Sequence, residues 1–158
     1  AQQMAPKLAA SLEPSVRTRW LCHWARIRPS TPYQVVGERS ADIWSVAAGE
    51  VDGRAVVVSN GWDRTVRLWD AVSGAPIGAP LKGHEDAVLS VALGEFDGHA
   101  VVISGSMDKT VRLWDAASHT NLLEVNLGLD VAAVSSLCDC SFAIAYLRGV
   151  ALYEFALK

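Results

Sequence analysis

Residues Ala41–Asp70 recur 45 positions later as Asp86–Asp115, and 18 of the 30 aligned pairs are identical. The best-matched stretches read GEVDGRAVVVS against GEFDGHAVVIS, and DRTVRLWDA against DKTVRLWDA. A period in the mid-forties that ends on Trp-Asp is the mark of stacked copies of one supersecondary unit. It argues against a catalytic core built once.

The chain has 158 residues, half of them hydrophobic, which is enough for a substantial core. Its net charge of −3 gives no global pull toward nucleic acid. Charge is uneven, however: residues 1–40 carry six Lys/Arg against two Asp/Glu, and residues 41–158 carry eight against fifteen. With no Lys/Arg run and no aromatic-basic stripe, this reads as a basic tail on an acidic domain rather than a nucleic-acid arm. Three cysteines, Cys22, Cys138 and Cys140, form no disulfide framework, so a reducing, cytoplasmic setting is expected. No apolar run reaches membrane-spanning length, and the start lacks a signal peptide's apolar core. An initial Ala in place of Met is read as a processed or trimmed chain, or a fragment.

Along the chain, residues 1–28 read as helix, with Met4, Leu8 and Leu12 four apart and Ser15 able to cap a second helix bearing Trp20 and Trp24. Pro29-Ser30-Thr31-Pro32 is a breaker, so residues 1–32 form a basic helical segment and linker before a domain spanning 33–158. From Tyr33 the period shortens. Apolar runs Ile43–Ala48 and Val88–Leu93 lead into Asp52-Gly53 and Asp97-Gly98, the strongest short hairpin signal. The β-branched runs Val56–Ser59 and Val101–Ser104 follow and read as buried on both faces, as expected of central strands. Tight turns at Trp62-Asp63-Arg64 and Met107-Asp108-Lys109 then lead to Thr-Val-Arg-Leu-Trp, whose alternation packs one face inward. Pro76–Leu81 and Leu122–Leu127 supply a fourth strand each.

Four antiparallel strands per 45 residues describe a β-propeller blade. The predicted fold is all-β: one blade over 41–81, a second over 84–127, and a degenerate third over 131–155, where Gly149–Phe155 replaces Thr-Val-Arg-Leu-Trp-Asp. A lone strand, Tyr33–Val36, precedes them.

At these residues the chain resembles the WD-repeat β-propeller family, over roughly Tyr33–Phe155. Gly83-His84 before a blade, Asp63 and Asp108 in turns, and Trp69-Asp70 and Trp114-Asp115 at strand ends carry the resemblance. The phrasing GE-x-DG-x-AVVVS also resembles long bacterial WD arrays that follow a signalling module. The resemblance implies a structural hydrogen-bond network of His84, Ser104, Asp108 and Trp114 in the second blade. The first blade keeps Ser59, Asp63 and Trp69, with Arg39 in the place of His; the third has neither His nor turn Asp, and Tyr153 in the place of Trp. These departures put the rigidity of the outer blades in question.

His84, Ser104 and Asp108 are also the residue types of a hydrolytic triad, but no Gly-x-Ser-x-Gly elbow surrounds Ser104, and the structural role is preferred. Cys138-Asp139-Cys140 is a poor tetrahedral site and reads as a hairpin turn, and Cys22-His23 is no better. Glu50/Asp52 and Glu95/Asp97 repeat with the blades as solvated turn formers. No Gly-rich phosphate loop occurs, so no cofactor and no metal is expected. Trp62, whose repeat counterpart is Met107, stands at a turn tip where small or polar residues are usual. It is a candidate partner anchor, or else a contact for the helical segment. Trp44, aligned with Leu89, is read as packed between blades.

If the lone strand completes the last blade, the strands sum to three blades, whereas closed propellers use about four to eight. The chain is then a piece of a larger ring or a protomer that assembles one. The function expected is a non-catalytic scaffold or sensor surface for other proteins, with self-association possible and no nucleic acid or membrane involved. The alternative is the carboxyl-terminal sensor of a larger signalling ATPase or kinase.

Overall fold

The computed structural model describes residues 42–138, 141–146 and 148–154. The chain divides between Gln34 and Val35, and all described residues lie in the second unit. The expected helices over 1–28, the 29–32 linker, the strand at Tyr33–Val36 and Arg39 lie outside the described residues, as do Asp139, Cys140 and Phe155.

The described residues form eleven strands in three antiparallel sheets. The first holds β1 (Ile43–Val51), β2 (Arg54–Gly61), β3 (Thr65–Asp70) and β4 (Pro76–Lys82), hydrogen-bonded in that order. The second holds β5 (Val88–Phe96), β6 (His99–Ser106), β7 (Thr110–Asp115) and β8 (Asn121–Asn126). The third holds β9 (Val131–Cys138), β10 (Ser141–Tyr146) and β11 (Gly149–Glu154). Each sheet is a blade. Sequential strands pair as neighbours, so the local turns set the topology.

Those turns follow from their residues. Asp52-Gly53 joins β1 to β2 with φ of 49° and 75°, and Asp97-Gly98 repeats it with 51° and 75°. Two positive φ values in a two-residue loop match the right-handed twist of the flanking strands, and Asp and Gly tolerate them. The outer strand β4 contains Pro76 and Pro80, which fit an edge that lacks a second ladder.

The sheets stack through their faces, with β5 lying against β1 on one side and β9 on the other. Two apolar clusters result. Between blades one and two, Val56, Val58, Val66 and Leu68 meet Val88, Val91, Val102 and Trp114. Between blades two and three, Val101, Ile103, Val111 and Leu113 meet Val131, Val134, Phe142 and Ile144. Alternation on β7 explains the division: Val111 and Leu113 point to blade three, Trp114 to blade one. At about 1.5–3 kcal/mol per fully buried aliphatic side chain, these seams are the main stabilising term.

Polar groups also cross the seams. The Asn60 amide donates to the Val88 carbonyl at 2.5 Å, and the Val134 N–H donates to Ser90 Oγ at 3.0 Å. On the outer rim, His119 Nδ1 donates to the Ala79 carbonyl at 2.9 Å.

One expectation needs correction. Trp44 is not packed between blades; it is exposed on β1. The third blade, which lacks the polar network, fills the same positions with apolar side chains. Ile144 occupies the position of Ser104 and is fully buried, and Phe142 stacks on Tyr153 with ring centroids 5.6 Å apart. Leu127 takes the place of His84 and packs on the same cluster. An apolar set substitutes for the polar one, which avoids burying groups that would need partners.

Candidate functional site

The one constellation of chemically active side chains among the described residues is built on the second blade. Ser104 lies on central strand β6, and Trp114 closes β7 beside it. Asp108 sits in the β6–β7 turn and His84 in the connection before β5. The fold brings all four together. His84 Nδ1 lies 2.8 Å from Asp108 Oδ2, and its Nε2 lies 2.7 Å from Ser104 Oγ. The Trp114 indole N–H donates to Ser104 Oγ at 2.8 Å.

These distances determine the protons. Asp108 is an acceptor, so Nδ1 of His84 carries hydrogen and Nε2 accepts from the Ser104 hydroxyl. Ser104 Oγ in turn accepts from Trp114. Donors run one way, from indole through hydroxyl and imidazole to carboxylate. Protonating His84 would turn Nε2 into a donor and take away the acceptor of the Ser104 proton.

Asp108 is held further by Thr110, whose hydroxyl and N–H donate to Oδ1 at 2.6 and 2.9 Å, and by the Glu85 N–H, which donates to Oδ2 at 2.9 Å. Burial raises the Asp108 carboxyl, but the Thr110 hydroxyl, the Glu85 N–H and His84 outweigh it and bring the pKa down to about 2. Burial lowers the His84 imidazole below its usual 6.5, and this exceeds the upward pull of Asp108. At neutral pH the pair is therefore a neutral imidazole on a carboxylate.

Gly83 completes the Gly-His pair for a steric reason. A Cβ there would come within 3.2 Å of Trp114 Cη2 and would also press on Arg112. Arg112 lies 5.9 Å from the Trp114 ring centroid and pairs with Glu124 at 2.9 Å, closing the outside of the indole.

The first blade repeats part of this. Trp69 donates its indole N–H to Ser59 Oγ at 2.8 Å, and Asp63 accepts from the Thr65 N–H and hydroxyl at 3.1 and 2.9 Å.

The Asp-His-Ser order and spacing are those of a hydrolytic triad, yet the surroundings are not. The His84 side chain is 1 % exposed and Ser104 is fully buried. Both Ser104 lone pairs and its proton are engaged or enclosed, so no carbonyl can approach Oγ. The arrangement can join β6, β7 and the blade connection; it cannot present a nucleophile.

Of the carboxylates read as solvated turn formers, Glu50, Asp52 and Glu95 line an open groove of about 520 Å³ at the hairpin ends. Among the described residues no group of three or more His, Cys, Asp or Glu is placed to hold a metal ion. Cys22-His23 lies outside the described residues. Trp62 and Met107 are both exposed at their turns. Trp62 meets Trp44 edge to face, with centroids 5.8 Å apart and planes at 66°.

Sequence reasoning missed three supporting groups. Thr110 and Thr65 anchor the turn aspartates, and the repeated Asp-x-Thr spacing was the available signal. The Asp of each Trp-Asp caps the next turn: Asp70 accepts from the Val72 and Ser73 N–H groups, and Asp115 from those of Ala117 and Ser118. Hydrogen bonds from the following serine, its backbone N–H first, hold both carboxyls below the usual range. Asn60 and Ser90, which bond across seams, carried no sequence signal.

The geometry agrees with comparison to known proteins. The structure of U3-55K superposes with a TM-score of 0.64 at 24% identity, covering 75% of this chain and 36% of that one. The peroxisomal targeting signal 2 receptor of Homo sapiens is 34% identical over 65 residues, 41% of this chain and 20% of the receptor. Its Mus musculus counterpart is 32% identical over 65 residues. The matched stretch thus spans about one fifth of these receptors' length. The family model "WD domain, G-beta repeat" matches residues 30–70 and 75–115. The second of these units starts at outer strand β4 of one blade and ends on β7 of the next, so it ties neighbouring blades covalently. With just over half of its residues matched and three stacked blades in its fold, the chain belongs to the WD-repeat family.

Proposed function

We propose that this chain is a non-catalytic, protein-binding module that engages its partner through turn tips on the blade frame. The observation that carries the reading is the Trp44–Trp62 pair: two indoles in mutual contact that remain 53% and 50% exposed. An exposed indole is normally a loss in water; here the backbone holds it in place. The Trp62 N–H donates to the Asp42 carbonyl at 3.3 Å, Arg64 N–H to the Gly61 carbonyl at 3.3 Å, and Asp63 is tied to Thr65. A rigid aromatic anchor orders little on binding, which is the property of interface hot spots. Met107, at the same position of the next blade, is also exposed. Burial of His84 and Ser104 supports the absence of catalysis.

The test is site-specific photo-crosslinking of the full chain in cells, with the reactive residue at position 62, at 107, or at Leu122 on outer strand β8. Discrete protein adducts from 62 and 107 but not from 122 are expected, and Trp62→Ala should weaken binding of the captured protein tenfold or more. Adducts only at 122, no adducts at all, or adducts that vanish with nuclease would overturn the reading.

A further inference from the structure

Each blade of this chain has two faces, and the second blade shows what each face requires. Toward blade three it offers Val111 and Leu113, which are 2% and 3% exposed there. Toward blade one it offers Val88 and Val91, which are 0% and 5% exposed. The residues in those positions on the two outer blades are not covered by a blade among the described residues. On β11, Val150 stands where Val111 stands on β7, and Leu152 where Leu113 stands; they are 70% and 71% exposed. On β1, Ile43 and Val46 stand where Val88 and Val91 stand on β5; they are 50% and 63% exposed.

The strand registers make these equivalences definite. Ile43 pairs with Gly61 and Val46 with Ser59, as Val88 pairs with Ser106 and Val91 with Ser104. Both strands carry the same irregularity between the two positions. Leu152 pairs with Ala143 and Val150 with Ala145, as Leu113 pairs with Ile103 and Val111 with Gly105.

The surface that covers a face like that of Val150 and Leu152 is therefore on view inside the chain. It is an inner strand carrying two β-branched residues in the Val131 and Val134 positions of β9, or the Val88 and Val91 positions of β5. The uncovered face of β1 carries that same set as Ile43 and Val46. One end of the molecule is thus shaped as the partner of the other. The two ends belong to blades one and three, which are separated by blade two and cannot meet within the described residues.

We propose that a second copy of this chain docks head to tail, placing the β9–β11 face of one copy against the β1 face of the next. The contact is heterologous, so it repeats until the rotation closes a ring. It reproduces the seam that the chain forms twice within itself, and it covers the exposed Ile43, Val46, Val150 and Leu152.

Sedimentation velocity of the 158-residue chain tests this, with Val46→Asp and Leu152→Asp variants and their equimolar mixture. Both positions are exposed, so each variant should keep its near-ultraviolet tryptophan dichroism; Ile43→Asp and Val150→Asp serve if either does not. The wild type is expected to sediment as an assembly of two or more copies, and each variant as a single chain. In the mixture one intact pair of faces remains, Leu152 of the first variant against Val46 of the second, so a dimer should return. A wild type that sediments as a single folded chain overturns the proposal. So does assembly that survives both substitutions, or a mixture that stays monomeric.

Discussion

Replacing His84 by alanine removes the side chain that joins Asp108 to Ser104, and the cost follows from what each neighbour retains. Asp108 Oδ2 keeps the Glu85 N–H at 2.9 Å, so the carboxylate loses one charge-assisted bond and not all of its partners. That loss is about 1.5–3 kcal/mol. The Ser104 hydroxyl loses its acceptor while fully buried, which costs about 1–3 kcal/mol if no water replaces the imidazole. The Asp108 side chain is 8% exposed, so solvent reaches that end of the void and recovers part of the loss. The net destabilisation is about 3 kcal/mol, or a fall in Tm of roughly 10 °C for a domain of this size. Scanning calorimetry checks it, together with a double-mutant cycle of His84→Ala and Asp108→Ala. Residues in one network should couple by about 1 kcal/mol or more. An unchanged Tm, or strictly additive losses, would refute the network as a structural element.

Other outcomes follow from the same geometry. Burial holds His84 below 6.5, so the unfolded chain binds more protons; stability should fall as pH drops from about 6.5 through the lowered native value. A second loss of about 2 kcal/mol belongs to Asp108, present above pH 3.8 and lost toward about 2. Urea midpoints against pH should show both steps, and His84→Gln should abolish the first. Gly105→Ala would drive a Cβ into Val131 across the second seam, lowering stability by about 1–3 kcal/mol. Gly53→Ala meets no atom within 4 Å and should cost only the strain of its positive φ, about 1 kcal/mol, so equal losses in the two variants would refute the seam geometry.

Much of the blade was readable from local residues. Asp-Gly announced the hairpins, β-branched runs the central strands, and the 45-residue period their repetition. Of the network, Ser, the turn Asp and Trp recur in the first two blades, whereas His84 has no counterpart there and entered only through the resemblance to the WD-repeat family. Trp44 was misread. Its alignment with Leu89 gave its strand position, but burial depends on what lies against the strand, and β1 has no blade on that side among the described residues. The third blade was legible only in part. The absence of His and Asp was visible, but the replacement by Leu127, Phe142, Ile144 and Tyr153 appears only when the strands are superposed.

The sequence by itself determined which segments are strands, where they turn and that the unit repeats, since these depend on φ preferences and on contacts between residues near in the chain. Tertiary structure alone decided which side of each strand is covered. The tautomer of His84, the sealing of Ser104 and the bare faces of β1 and β11 arise where distant segments meet or fail to meet. Side-chain alternation tells a strand's two faces apart, but only the neighbouring sheet determines which of them is dry.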